Sequence, residues 1–415
     1  MTPMFRKTIS TAVFICAATL ILAAQNPAPG GQQRGGGRGI QPALYPVLPI
    51  GSALPDFSLL GIDGKPHSPA EYAKSKALAI VFESNHCPAS IAYEQRIHDL
   101  YTKYRSQGVQ VVAINPNNPK AVRLNELGFT DMTDSFEEMK LRAAFMQLPW
   151  PYLYDGENQV LSTKFGAVAT PHIFVFDQDR KLRYQGAIDD NRAVALAKQH
   201  YAADAVEALL AGRPVPVAET RAPGCSTKWM TTSIPGVEDE MKAIQETPVT
   251  VSSIDPDGMK ALRQNAASNK TLLVSFWRVG DRSLTQFADL QTTYRMYAGS
   301  HRPMDLITVS TDPAARASAV LEYLKGHHAT STNKQLAADG ALPQVQAALG
   351  LKWNAAQPFT VVIAPGGKVI YQKEGRLDIF DVRRVILASF PDEPAWPGVH
   401  DYFQAAVAHM AAGKH

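Results

Sequence analysis

The sequence predicts an α/β protein built from two successive sandwiches, each with helices around a mixed β-sheet. Short apolar runs of strand length alternate with longer stretches of helical pattern, and each series ends in a hairpin pattern. The run at 77–82 is apolar without alternation, which is typical of a strand covered on both faces. The chain has 415 residues, which is longer than a chain with a single hydrophobic core ordinarily is. We therefore expect two domains, at 49–212 and 245–395.

In the first domain a buried strand, a polar turn and a helix follow one another directly. Ser84, Asn85, His86 and Cys87 come just after the strand, and Pro88 opens a helical pattern that runs to residue 105. Cys87 is thus predicted at a helix start. The other predicted elements of this domain are strands at 55–60, 109–114, 152–154, 170–177 and 182–185, and helical segments at 135–145, 159–165 and 192–210.

The same order of elements recurs in the second domain. A strand at 271–277, a helix at 283–297 and a strand at 305–310 repeat the pattern of the first domain. A second hairpin aligns with the first without a gap, so that Lys368 falls on Lys181 and Tyr371 on Tyr184. The positions of Ser84 and Cys87 fall on Arg278 and Asp281, which excludes thiol chemistry there. We expect a structural role or a partner-docking role for this domain.

The two ends of the chain predict export and a tether. Arg6 and Lys7 precede an uncharged run that ends in small residues, so 1–24 is expected to be a secretory signal peptide. An uncleaved anchor, which would place the protein at a membrane, is the alternative. Residues 25–48 are rich in Gly, Pro and Arg and predict a flexible linker. The segment at 213–244 is expected to connect the domains, and 396–415 to form a C-terminal tail.

Composition and motifs exclude several function classes. The formal net charge is only +3, and no aromatic residues interleave with the arginines of the linker, so nucleic-acid binding is not expected. No phosphate-binding loop, zinc-ligand quartet or serine-hydrolase elbow occurs, and we expect no cofactor. Of three cysteines, Cys16 should leave with the signal peptide. Cys87 and Cys225 remain, too few for a disulfide scaffold.

The buried strand, the Cys-Pro turn at a helix start and the later Thr170-Pro171 hairpin resemble the thioredoxin superfamily, and more narrowly its redoxin (AhpC/TSA, peroxiredoxin-like) branch. The resemblance covers 49–212 well and 270–391 more loosely. It implies two tandem thioredoxin-like three-layer sandwiches with mixed central sheets. It also implies that Pro171 follows a cis peptide bond and faces the active thiol.

The sequence departs from the family motifs at three positions. Ser84 stands where thioredoxins have the first cysteine of Cys-x-x-Cys, and Ile80 where peroxiredoxins have a proline. Ala169 stands where one branch of peroxiredoxin-like proteins has a further cysteine. The family chemistry therefore depends on Cys87 and on a thiol from elsewhere in the chain.

Cys87 is the predicted nucleophile, because a helix N-terminus stabilises a thiolate. The resemblance implies that Ser84 donates a hydrogen bond to the sulfur or to a peroxide oxygen, and that Thr170 and Pro171 shape a substrate groove. His86 and Pro88 are expected to border that groove. A buried, unreactive cysteine is the alternative.

Cys225 is the candidate resolving thiol, since it lies in a loop that could fold back over the active turn. A permanent Cys87–Cys225 disulfide is the structural alternative. We otherwise expect no metal; a weak option is a copper site formed by His86, Cys87 and His172.

The sequence therefore predicts an exported, periplasmic or extracellular, thiol-dependent redoxin. It would act as a peroxiredoxin-like antioxidant or as a thiol-disulfide oxidoreductase. Its expected partners are a small peroxide or a partner protein's thiol or disulfide, together with an external thiol reductant. The alternative is a non-catalytic scaffold or binding module in an exported assembly.

Overall fold

Two β-sheets organise the residues that the computed structural model describes, 44–280 and 285–412. The predicted signal peptide, residues 25–43 of the predicted linker, and Asp281 lie outside the described residues. The strands are β1 (Leu59–Gly61), β2 (Pro66–His67), β3 (Ala77–Phe82), β4 (Val109–Asn115), β5 (Tyr152–Tyr154), β6 (Ala169–Thr170), β7 (His172–Phe176), β8 (Leu182–Gly186), β9 (Cys225–Ser226), β10 (Ser252–Ile254), β11 (Thr271–Trp277), β12 (Met304–Ser310), β13 (Thr332–Leu336), β14 (Phe359–Ile363) and β15 (Val369–Glu374).

Helices connect and flank these strands, as expected for an α/β sandwich. They are α1 (Pro88–Tyr104), α2 (Phe136–Met146), α3 (Val160–Phe165), α4 (Tyr201–Leu210), α5 (Met230–Glu246), α6 (Pro256–Gln264), α7 (Thr285–Ala298), α8 (Ala317–Gly326), α9 (Leu342–Leu349), α10 (Ile379–Ser389) and α11 (Val399–Ala411). No described helix combines the length and the apolar character that a membrane crossing requires.

The two sheets share a five-strand arrangement. The first has the order β2-β1-β5-β4-β3-β7-β8 and the second β10-β13-β12-β11-β14-β15. In each, the central strand pairs in parallel with one neighbour and antiparallel with the hairpin on its other side. Both sheets are therefore mixed and thioredoxin-like, as the fold prediction stated.

The predicted hairpin repeat is visible in the strand register. Val175 pairs with Tyr184 in the first hairpin, and Val362 pairs with Tyr371 in the second. A register shift follows directly after Val175 and after Val362. The two hairpins therefore share their pairing and their irregularity at equivalent positions.

The central strand β3 is buried on both faces because its alternate side chains enter two different cores. Ala79 and Val81 pack in a core with Tyr93 and Ile97 of α1. Ile80 and its even-numbered neighbours pack on the opposite face, in a core that includes residues of α3. This burial explains why the strand shows no polar alternation.

Three predicted segments differ in the structure. The Ala-rich helix expected at 192–210 is helical only from Tyr201, in α4, because buried Arg96 donates to the carbonyl oxygens of Asn191 and Arg192 and holds that stretch in an irregular path. The expected connecting segment contains α5. The expected C-terminal tail forms α11, which buries Phe403 against neighbouring helices.

The two sheets also share a core. Val122 and Leu127 from the first domain pack in one cluster with residues of α7 and α10, among them Leu290 and Val382. The described chain from residue 44 onward accordingly lies within one compact unit.

Candidate active site

Cys87 lies between the central strand β3 and the first long helix, α1. It is the N-cap residue of α1, and Pro88 occupies the first helical turn, where a missing N–H costs nothing. The Cys87 side chain has no exposed area. Its Sγ atom lies 3.0 Å from the carbonyl oxygen of Thr170, on the short strand β6.

Cys225 forms a hydrogen bond with the Cys87 sulfur. Its strand β9 pairs antiparallel with β6, which places Cys225 opposite Thr170. Both cysteines are free thiols, Cys87 buried and Cys225 partly exposed. Cys225, expected in a loop, lies on β9 in the structure.

The two sulfurs have opposite acid strengths. Burial raises the pKa of Cys87, but a hydrogen bond from Cys225 and the charge of His86 outweigh burial and lower that pKa to about 5. The same hydrogen bond, together with burial, raises the pKa of Cys225 well above its ordinary value. The pair is therefore a thiolate at Cys87 and a protonated donor at Cys225 at neutral pH.

His86 is held beside this pair by a buried carboxylate. Its Nδ1 lies 2.5 Å from Oδ2 of Asp134, and both side chains are buried. Burial lowers the pKa of His86, but the charge and hydrogen bond of Asp134 outweigh it and raise that pKa. A protonated His86 places a positive charge next to the Cys87 sulfur.

Asp134 is itself fixed by several donors. Its oxygens accept hydrogen bonds from the backbone N–H of Asn85 at 2.7 Å, from the side chain of Asn115 at 3.1 Å and from that of Asn117 at 2.8 Å. Burial raises the pKa of Asp134, but His86 and these amides outweigh it and lower that pKa. Sequence reasoning missed this cluster. The available signal was the run of asparagines directly after the buried strand β4.

Ser84 takes part in the turn through its oxygen. Its hydroxyl accepts a hydrogen bond from the backbone N–H of Cys87 at 3.2 Å and lies 3.4 Å from Nδ1 of His86. This contact supports the start of α1 by satisfying a backbone donor. The predicted donation from Ser84 to the sulfur stays a prediction.

The peptide bond between Thr170 and Pro171 is cis. His86, Pro88, Thr170 and Pro171, the residues expected to border a substrate groove, are all buried.

Residues 222–229, the covering segment, pack against β6 and neighbouring residues of the site. Beyond the pairing of β9 with β6, the backbone N–H of Thr227 donates to the carbonyl oxygen of Val168 at 3.2 Å. The backbone N–H of Lys228 donates to the side chain of Asn117 at 2.8 Å, and the ring of Trp229 packs edge-on against Tyr45. The covering segment therefore explains why Cys87 has no exposed area.

The optional copper site is wrong. Nε2 of His172 donates to the side-chain oxygen of Gln185 at 2.8 Å, and the ring packs on Phe174 with centroids 4.2 Å apart. One ring nitrogen of His172 is thus bound to Gln185, and burial lowers the pKa of His172 to about 4. Within the described ranges, no three His, Cys, Asp or Glu residues are grouped to hold a metal ion.

A buried acid that sequence reasoning also missed lies just before the turn. Glu83 precedes Ser84 and is 5% exposed. Burial and the neighbouring Glu94 carboxylate raise the pKa of Glu83 to about 8, although Arg142 opposes the shift. A carboxyl group with this pKa is protonated over much of the neutral range.

Part of the chain is similar to known proteins. Residues 50–185 match the AhpC/TSA family model. A thiol-disulfide oxidoreductase ResA from Geobacillus thermodenitrificans is 28% identical over 137 residues, which are 33% of this chain and 68% of that protein.

Two solved structures are also similar. An uncharacterized conserved protein from Geobacillus kaustophilus is 34% identical, with 44% of this chain and 94% of that chain covered and a TM-score of 0.39. A hypothetical protein from Sinorhizobium meliloti is 31% identical, with 45% and 97% covered and a TM-score of 0.39.

The family match covers the strand, turn and helix that hold Cys87, together with the Thr170-Pro171 hairpin. Residues 50–185 are therefore similar to the redoxin (AhpC/TSA) branch of the thioredoxin-like superfamily.

Proposed function

We propose that the protein is an exported thiol-disulfide oxidoreductase of the redoxin type, with Cys87 as the nucleophile and Cys225 as the resolving thiol. The observation that carries this proposal is the hydrogen-bonded pair of free thiols with opposite pKa shifts. A thiolate attacks a disulfide readily, and a second thiol within contact distance releases the resulting intermediate.

The proposed cycle has two exchange steps. In the first, the Cys87 thiolate attacks one sulfur of a partner disulfide, forming a mixed disulfide and releasing the partner's other sulfur as a thiolate. In the second, the Cys225 sulfur attacks the Cys87 sulfur and breaks the mixed disulfide, and the Cys225 proton passes to the partner's departing sulfur, which leaves as a thiol. The partner is reduced by two electrons and the chain gains a Cys87–Cys225 disulfide, which an external thiol reductant reopens.

One buried group beside the thiols serves this cycle. Protonated His86 stabilises the Cys87 thiolate before attack. The covering segment must move for a partner to reach Cys87, because that side chain has no exposed area.

Disulfide exchange is favoured over the peroxidase and scaffold alternatives. The matched curated relative is described as a thiol-disulfide oxidoreductase. Ile80 breaks the peroxiredoxin motif, and an inert scaffold would not require a thiolate paired with a buried imidazolium.

The experiment uses the purified full chain with oxidised glutathione as the probe. The reduced protein should lose two thiols and form an intramolecular disulfide that a dithiol reductant reopens. Cys225→Ser should accumulate a glutathione adduct on Cys87, detected by mass spectrometry, and Cys87→Ser should form neither product. Unchanged thiol content in the unmodified chain would contradict the proposal. Export is tested separately, by fractionating producing cells and sequencing the mature N-terminus, which should begin near residue 25.

A further inference from the structure

A buried loop connects the site to the second domain. We call residues 130–134 the bridging loop; Thr130, Asp131 and Asp134 have no exposed area. On one side it supports the turn at residues 84–87, because the Thr130 hydroxyl donates to the carbonyl oxygen of Asn85 at 3.1 Å. The Asn85 side chain donates in turn to the carbonyl oxygen of Thr133 at 2.8 Å.

The bridging loop also supplies the carboxylate that orients His86. Asp134 is its last residue and contacts His86 as well as the backbone N–H of Asn85. A shift of the bridging loop would therefore move the imidazolium relative to the Cys87 sulfur. Three hydrogen bonds to the turn and one to the imidazole couple the two segments.

The second domain holds the opposite side of the bridging loop. Arg384 of α10 donates from Nε to the Asp131 carboxylate at 2.8 Å, and Arg383 donates to the Asp131 carbonyl oxygen at 2.9 Å. The Tyr297 hydroxyl, on α7, donates to the Thr130 carbonyl oxygen at 3.1 Å. These side chains are buried, so the contacts are not exchanged for water.

We propose that the second domain positions the active site of the first, with Tyr297, Arg383 and Arg384 holding the bridging loop so that Asp134 keeps His86 beside the Cys87 sulfur. This inference rests on the proposed function. It gives the second domain a role in the reaction without any thiol of its own, since these residues act through the bridging loop and are positioning residues.

Other charged groups around His86 are distinct from this linkage. Asp134, Cys87 and Lys228 act on its charge, and Glu126 lies near enough for His86 to act on it in return. None of the three positioning residues touches His86. Their effect on the site is therefore expected through the placement of Asp134.

The test removes single contacts of the bridging loop in the full chain. Tyr297→Phe deletes one hydroxyl and keeps the ring that packs against Phe390. Its matched control is Tyr323→Phe, because Tyr323 is a tyrosine of α8 whose buried hydroxyl has no hydrogen-bond partner among the described residues. Arg384→Met and the conservative Arg384→Lys form a second series.

Three readouts separate positioning from stability. Far-ultraviolet circular dichroism reports folding, the downfield proton resonance of the His86–Asp134 hydrogen bond reports the imidazole, and thiolate absorbance against pH reports Cys87. Tyr297→Phe and Arg384→Met should lower the rate of exchange with oxidised glutathione by roughly two- to thirty-fold, with a weakened downfield resonance. Arg384→Lys should recover part of the rate, and Tyr323→Phe should match the unmodified chain.

The outcomes distinguish this inference from the proposed function. An unmodified chain that fails to exchange with glutathione refutes the proposed function, and the resonance still tests the positioning. A Tyr297→Phe variant that folds and matches Tyr323→Phe in resonance, thiolate midpoint and rate overturns the inference. If Arg384→Met fails to fold, the rates, resonances and thiolate midpoints of Tyr297→Phe and Arg384→Lys test the inference in its place.

Discussion

At the scale of single residues, the site depends on an unequal pair of sulfurs. Cys87 is fully buried, and burial alone would keep it a neutral and inert thiol. The hydrogen bond from Cys225 and the positive charge of His86 instead lower the pKa of the Cys87 thiol. In the proposed cycle, this asymmetry makes Cys87 the attacking sulfur and Cys225 the resolving sulfur before any partner is bound.

The lowered pKa of Cys87 predicts a pH-dependent stability. The pKa is about 5 in the folded protein against an ordinary value of 9.0, so between these values the unfolded chain binds the proton and the folded chain does not. The contribution of Cys87 to the free energy of unfolding of the reduced protein should therefore rise with pH from about 5 to about 9, by up to about 1.4 kcal/mol per pH unit. Denaturant unfolding at a series of pH values measures this slope.

Cys87→Ser is the reference for that measurement, because it removes the thiolate and retains a small polar side chain. The difference in the free energy of unfolding between the reduced protein and this variant should grow with pH and be lost as pH falls through about 5. A difference that is constant across the range would show that the thiol is not ionised in the folded state.

Asp134 predicts a second effect at the residue scale. Asp134→Asn removes the charge that keeps His86 protonated, so the Cys87 thiolate loses a positive neighbour. The thiolate midpoint, measured by ultraviolet absorbance against pH, should rise by about one unit or more. Asp155→Asn is the matched control, since Asp155 is a buried carboxylate that caps α3 through Ser162. It should cost stability and leave the midpoint unchanged; equal midpoints in both variants would exclude the role of Asp134.

At the scale of elements, the covering segment determines access to Cys87. Gly224 has φ +107° and lies so close to β6 that a Cβ atom would meet the Thr170 carbonyl oxygen at 2.1 Å. Both the backbone conformation and the space therefore require glycine. The pairing of β9 with β6 depends on this close approach.

Gly224→Ala should displace β9 and separate the two sulfurs. We expect faster labelling of Cys87 by a bulky maleimide and slower formation of the Cys87–Cys225 disulfide. Gly212→Ala is the control, because Gly212 also has a positive φ, +65°, but open space around its Cβ position. It should cost about 1 kcal/mol of stability and leave both rates as they are. Unchanged labelling of Cys87 in Gly224→Ala would mean that the covering segment does not control access.

The sequence predicted the elements whose signals are local. The apolar run of β3, the Cys-Pro helix start and the hairpin of β7 and β8 each depend on neighbouring residues, and all three were located correctly. The irregular stretch before α4 was missed because contacts of Arg96 override the helical preference of alanine.

The rest of the site was not predictable from local pattern. His86 and Asp134 are 48 residues apart in the chain, and no spacing rule connects a turn residue with a loop after the next strand. Sequence reasoning missed Glu83 for a different reason. Its pKa is raised by burial and by the carboxylate of Glu94 on α1, and neither is visible in the local pattern. Such groups are found only when the packing is known.

At the scale of the whole molecule, the two halves share a core as well as a buried loop. Ile91, Val122 and Leu127 from the first half pack with Met296 and other residues of the second. Buried Arg142 of α2 also pairs with Glu94 and donates to the Tyr402 hydroxyl of α11 at 3.1 Å. Elements that share a core and buried polar contacts are expected to unfold together.

Leu127→Ala tests this coupling. Leu127 is 2% exposed within the shared core, so its truncation should cost about 2 to 5 kcal/mol. Because the core is shared, hydrogen exchange should accelerate equally in β4 and in β12, measured by mass spectrometry at low denaturant. Leu60→Ala is the control, since Leu60 is 43% exposed and should change the free energy of unfolding by about 0.5 kcal/mol or less. Acceleration confined to β4 would show that the second domain unfolds independently, and a loosely attached second domain could not hold the bridging loop in place.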